Sequence, residues 1–65
     1  MSKYQEKGDV VSFNHEGKRL VGEYLYSVDR KRPDGWLDLI FCIKVDEEFV
    51  RVVCSEADLK VERKI

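Results

Sequence analysis

Residues 36–54 read WLDLIFCIKVDEEFVRVVC, two apolar runs separated by the charged turn Val45-Asp46-Glu47-Glu48. From Trp36 to Val45 the chain alternates, with Leu37, Leu39, Phe41, Ile43 and Val45 in one phase and Trp36, Asp38, Ile40, Cys42 and Lys44 in the other. A period of two marks a strand, because successive side chains leave opposite faces of the pleat. The second run, Phe49 to Cys54, is apolar in both phases except at Arg51. Pairing Lys44 with Phe49 across the turn sets Ile43 against Val50, Phe41 against Val52 and Leu39 against Cys54, which predicts a core face. The opposite face then carries Cys42 against Arg51 and Ile40 against Val53. A slip of one residue would bury Lys44 and Arg51, so the hydrophobic pattern fixes the register. The same register puts Cys42 and Cys54 on opposite faces, where they cannot form a disulfide.

On the N-terminal side, Asp9–Asn14 alternates after Gly8 and predicts a strand with Val11 and Phe13 on one face and Val10 and Ser12 on the other. Asn14-His15-Glu16-Gly17 is a turn, since Asn and Gly tolerate positive φ. Lys18–Val28 is rich in β-branched and aromatic residues and long for a strand. Gly22 within it marks a bulge, a sharp bend or the close approach of another backbone. Asp29–Gly35 has no apolar side chain except Pro33 and predicts a solvated loop with a Pro33-Asp34-Gly35 turn. On the C-terminal side, Ser55-Glu56-Ala57-Asp58 offers a capping serine and a polar run, enough for one 3₁₀ turn. Leu59–Glu62 alternates again, a short last strand with Leu59 and Val61 inward. Residues 1–7 and 63–65 are expected to fray.

Five strands in 65 residues predict an all-β domain that closes or nearly closes, because an open sheet leaves one face wet and two edges unpaired. The order of strand, turn, long bent strand, polar loop, hairpin, 3₁₀ turn and short strand resembles the small SH3-like barrels. The residues that carry the likeness are Lys7-Gly8-Asp9-x-Val11-x-Phe13, Gly17-Lys18-x-x-x-Gly22-x-Tyr24 and Ser55-x-x-Asp58-Leu59-x-Val61. The resemblance spans about residues 7–62 and implies a five-stranded, strongly bent barrel as a single domain over residues 1–65. It implies no activity, because that fold class hosts peptide binders, methyl-lysine readers, nucleic-acid binders and enzyme subunits. The long acidic first loop and Ala-Leu-Tyr-Asp-Tyr-like segment of proline-peptide-binding SH3 domains are absent from the sequence, so proline-rich peptide recognition is not expected.

Composition narrows the function classes. A chain of this size buries only about 60% of its unfolded surface, and 43% apolar content suffices for one continuous core. Charged residues make up 38%, yet the net charge is −1, which speaks against a general polyanion binder. Residues 1–7 have no apolar signal region, and the uncharged run Leu39–Ile43 is too short to cross a bilayer. Cys42 and Cys54 have neither disulfide-framework nor zinc-site spacing. They read as reduced small hydrophobes and predict a cytoplasmic protein.

Two surfaces compete as functional sites. The first is the outward apolar set Trp36, Ile40, Phe49 and Val53 with Arg51, and Tyr26 as a further candidate alongside, residue types enriched at binding hot spots. It predicts a protein partner or a homodimer, unless the bent sheet folds that face into its own wall. The second combines Arg30, Lys31 and Arg32 with Tyr24, Tyr26 and Trp36, cations for phosphates and rings for unpaired bases, and predicts single-stranded RNA or DNA binding. Against it, the same cations fit a solvated loop offset by Asp29 and Asp34. Asp46-Glu47-Glu48 at one β-turn does not converge on a cation. His15, the single histidine, and the serines at 12, 27 and 55 form no nucleophile–base pattern. No enzyme activity, cofactor, metal, membrane contact or small-molecule substrate is expected.

Overall fold

The computed structural model describes residues 5–65. The chain forms β1 (Val10–His15), β2 (Lys18–Lys31), β3 (Leu37–Val45), β4 (Glu48–Val53), one helical turn α1 (Cys54–Ala57) and β5 (Lys60–Arg63). All strands pair antiparallel in the order β4-β3-β2-β1-β5. The β3–β4 register is the one read from the hydrophobic pattern, from Val45 opposite Glu48 through to Ile40 opposite Val53.

Long β2 shapes the molecule. Its first half pairs with β1 and its second half with β3, with Glu23 opposite both Val10 and Lys44. Gly22 sits at this crossover, where a Cβ would lie 2.5 Å from the Lys44 carbonyl oxygen. Close backbone approach is therefore the reason for that glycine. The bulge lies three residues on, at Leu25, between the pairs Tyr24–Ile43 and Tyr26–Cys42. One extra residue inverts the phase of everything after it.

The bend brings the inner faces of β1, β3 and β4 together over Val11, Phe13, Tyr24, Phe41, Ile43 and Val52, with Leu59 and Val61 packed alongside. The sheet is not a closed barrel, because the edge strands β4 and β5 do not pair with each other. The single turn α1 lies against β1, β3 and β4 and buries Ala57 in the gap. It is α-helical, not 3₁₀, and is preceded by Val53 with no side-chain cap, so Ser55 lies inside the turn. It ends at Asp58, left-handed at φ 43°. Because the chain leaves the sheet after Val53, nothing opposes Leu39 on the β4 side, and its β2 partner is the polar Asp29. Leu39 is therefore exposed and Cys54 lies at the start of α1, also exposed, and neither joins the core. The segment 29–31 continues β2 as ladder, beyond the end expected for that strand, and the turn is confined to residues 33–35.

The C-terminal residues converge on Asp9. Buried Asp9 accepts hydrogen bonds from the backbone N–H of Glu6 (2.7 Å) and of Ile65 (3.2 Å), and Lys64 Nζ lies 3.0 Å from its carboxylate. Residues 1–4, part of the segment expected to fray, lie outside the described residues. The Glu6 backbone bond, then the contacts with Lys64 and Ile65, hold the Asp9 carboxyl below its ordinary range despite burial. The bond to Asp9, and after it Glu6, raises Lys64. A depressed carboxyl stabilises the fold above its unfolded-state pKa of about 3.9, and that contribution is lost as pH falls through the lower folded value. A raised lysine stabilises below about 10.4, and its contribution is lost as pH rises through the higher folded value. Asp9→Asn is expected to lower Tm across the neutral range, with the gap from wild type closing in acid. A gap that stays constant from neutral pH into the acid limb would refute the linkage.

Candidate interaction surface

The outer face of β2, β3 and β4 is built by cross-strand rows. Tyr26 stands beside Cys42 and Arg51, and Val28 beside Ile40 and Val53. Next to these rows Phe49 pairs with Lys44, and Lys44 with Glu23. Ile40 and Cys42 in the central strand are buried, covered by side chains of the flanking strands, and form the floor of the patch. Above them Tyr26 is 51%, Val28 44% and Phe49 73% exposed. Exposed aromatic and β-branched side chains over an apolar floor form a contiguous patch, unlike scattered surface apolar residues.

Arg51 is a cation set into this patch between Phe49 and Val53. Three surface hollows, of about 440, 280 and 370 Å³, all border it. The first separates Arg51–Val53 from the β1–β2 hairpin tip at Asn14–Gly17. The second lies over Val28 and Ile40, and the third over Leu25, Tyr26, Cys42 and Phe49. Arg51 is exposed and makes no ion pair or hydrogen bond with the described residues. A guanidinium in such a setting is a ready donor site for a carboxylate.

Trp36 is 69% exposed but stands apart. Between it and Ile40 lies Asp38, whose carboxylate is 3.7 Å from Arg30 Nη2 and 3.6 Å from Arg32 Nε. Arg32 also approaches Asp34 at 3.7 Å. Of the residues expected to bind a protein, Phe49, Arg51 and Val53 therefore share one patch with Ile40 as its floor, and Trp36 does not join them. Tyr26 and Val28 complete the patch.

The residues expected to bind nucleic acid are dispersed. Tyr24 is buried in the core, edge-on to Phe41 at 5.8 Å between ring centroids, and has no face to offer a base. The Leu25 bulge turns Tyr26 to the opposite side. Since 29–31 is strand, Arg30 and Lys31 leave opposite faces, Lys31 in the row of Leu37 and Arg30 in that of Asp38. Arg30 and Arg32 share Asp38, so part of their charge is neutralised locally.

Elsewhere, Arg19 donates to Ser12 Oγ (3.0 Å) and Asn14 Oδ1 (3.1 Å), and the Ser12 hydroxyl donates to Glu62 Oε2 (2.6 Å). These bonds tie β1, β2 and β5 together and leave Ser12 committed to structure. Among the described residues, no group of three or more His, Cys, Asp or Glu is placed to hold a metal ion, and no helix is long and apolar enough to cross a membrane. No family model, curated protein or solved structure matches this chain.

Proposed function

We propose that this chain is a small non-enzymatic binding module of SH3-like construction, an adaptor or accessory protein whose partner is another protein seated on the outer face of β2, β3 and β4. The observation that carries the reading is Arg51, without an ion pair among the described residues, set among exposed Tyr26, Val28 and Phe49 over the buried floor of Ile40 and Cys42. Apolar anchors around one directed charge are the composition of a protein-binding hot spot, where a few residues supply most of the affinity. The SH3-like reading of the fold rests on the long bent β2 shared between two ladders and on the helical turn before the last strand. Two free cysteines suit a reducing compartment such as the cytoplasm. The single-stranded nucleic-acid alternative has less behind it, since Tyr24 is buried, Lys31 leaves the face opposite Arg30, Arg30 and Arg32 share Asp38, and the chain has a net charge of −1.

The test is a crosslinking capture from cell lysate with wild type beside Tyr26→Ser/Val28→Ser, both exposed positions whose loss leaves the core intact. The captured protein, purified, is expected to bind the double variant about thirtyfold more weakly, the equivalent of ~2 kcal/mol for hot-spot loss. Equal affinity of wild type and variant for every captured protein would overturn the reading. So would salt-sensitive binding to mixed oligonucleotides in its place.

A further inference from the structure

Strand β4 is an edge of the sheet, and its free groups can be assigned. Asp46 and Glu47 form a two-residue turn closed by the pair Val45–Glu48. In such a hairpin the closing pair exchanges both hydrogen bonds, and bonded pairs then alternate along the ladder. Glu48, Val50 and Val52 therefore direct their N–H and C=O groups to β3. Phe49, Arg51 and Val53 direct theirs out from the open edge. No proline and no bulge protects β4, and such an edge is a template for a further strand.

The charge on this edge is self-complementary. Phe49 and Arg51 share a phase of β4, Glu47 in the turn stands two residues before Phe49 as Arg51 stands two after it, and all three are exposed. If two β4 edges meet antiparallel about a twofold axis at Phe49, each Arg51 stands opposite Glu47 of the second copy, and Phe49 faces its own counterpart. A twofold at Arg51 would oppose two guanidinium groups. It would also need the main chain at 52–53, which faces the β1–β2 hairpin tip across the 440 Å³ hollow. The register centred on Phe49 uses only 47–51 and avoids both problems.

We infer that the occupant of this edge is a second copy of the chain, paired β4 to β4 in the Phe49 register, with two Arg51–Glu47 ion pairs and a continuous ten-stranded sheet. The pairing is isologous, so it closes as a dimer and leaves no edge for further growth on that side. It goes beyond the proposed binding role of the outer face, because the pairing uses the β4 edge beside that face.

The experiment is sedimentation equilibrium over a dilution series with wild type, Arg51→Glu, Glu47→Arg and the exchanged pair Glu47→Arg/Arg51→Glu. All changes are at exposed positions, so each variant is expected to keep the wild-type circular dichroism spectrum. Wild type is expected to show a dimer that dissociates on dilution. Each single reversal opposes like charges across the strands twice and is expected to raise the dissociation constant about tenfold. The exchanged pair restores it. A wild type that is monomeric at every concentration overturns the self-pairing, as do single reversals that leave the dissociation constant unchanged. A monomer whose edge binds a foreign acidic strand also overturns it, reassigning the edge to that partner. If self-pairing fails while capture still depends on Tyr26 and Val28, the binding-module reading stands without it. If both fail, both are wrong.

Discussion

Phe13→Ala leaves little of the folded state populated. Phe13 is fully buried in β1, opposite Leu20, and is the largest of the fully buried side chains. Removing a buried phenylalanine costs about 3–5 kcal/mol, the lost transfer energy plus the cavity left behind. A 65-residue chain holds in total roughly 3–10 kcal/mol at the usual 0.05–0.15 kcal/mol per residue. Collapse into the hole is restricted, because the surrounding residues sit on ladders whose registers fix their positions, and α1 already fills the gap with Ala57. Urea unfolding is expected to show the midpoint moved close to zero denaturant. Phe49→Ala is the control: its ring is as large but exposed on β4, and the change is expected to stay within about 0.5 kcal/mol. A Phe13→Ala midpoint that falls no further than that of Phe49→Ala would remove Phe13 from the core.

That contrast between two phenylalanines was partly readable from the chain. Alternation is clear around Phe13 and from Trp36 to Val45, and one side of the 36–54 hairpin strands has no charge, so the register followed. Where the period of two is interrupted, the reading fails. Tyr24 and Tyr26 are two residues apart and share a face in any regular strand. The Leu25 bulge separates them, one to the core and one to the patch. Nothing about Leu25 itself announces a bulge, whereas Gly22 marked a bulge, a bend or a close backbone approach, and the close approach is the one it serves. The candidate patch differs accordingly: Val28 joins Tyr26 in it, and Trp36 is cut off from it by the charges gathered on Asp38.

The segment 29–31 and the pair Leu39 and Cys54 were misjudged for a related reason. Polarity predicts solvation, but a ribbon that extends beyond the core is solvated on both faces and can be polar while remaining strand. Beyond Val53 there is no β4 to define an inside, so Leu39 keeps the right phase and loses its cover. Closure of the sheet depends on how β5 and β4 meet, and no pairwise hydrophobic pattern within either strand encodes that. The consequence matters for function. An open sheet keeps the β4 edge free, and a free edge beside Phe49 and Arg51 gives the binding surface main-chain as well as side-chain means of recognition.

Gly22→Ala is expected to damage the fold nearly as much as Phe13→Ala, from a change of one methyl group. Alanine is ordinarily a gain over glycine in a strand, by about 0.5–1 kcal/mol, through the reduced freedom of the unfolded chain. Here the added Cβ would sit 2.5 Å from the Lys44 carbonyl oxygen and 2.9 Å from both Ile43 Cγ2 and Val45 Cγ2. Two of these obstacles are branched side chains at the end of β3, and the nearest is backbone that cannot rotate away. Relief requires β2 and β3 to separate at the crossover where Glu23 pairs with both Val10 and Lys44. The bend that folds β1 over β3 and β4 would open with it. Overpacking of this kind costs about 1–3 kcal/mol, and a backbone obstacle places the change at the upper end. Val21→Ala, one residue earlier and exposed, is the control for strand propensity and is expected to cost less than about 1 kcal/mol. Amide exchange localises the effect: Gly22→Ala should speed exchange first in the β2–β3 pairs nearest Glu23 and spare the β3–β4 ladder. Wild-type stability in Gly22→Ala would mean that β2 and β3 do not approach at Lys44, and the shared bent strand would have to be abandoned with them.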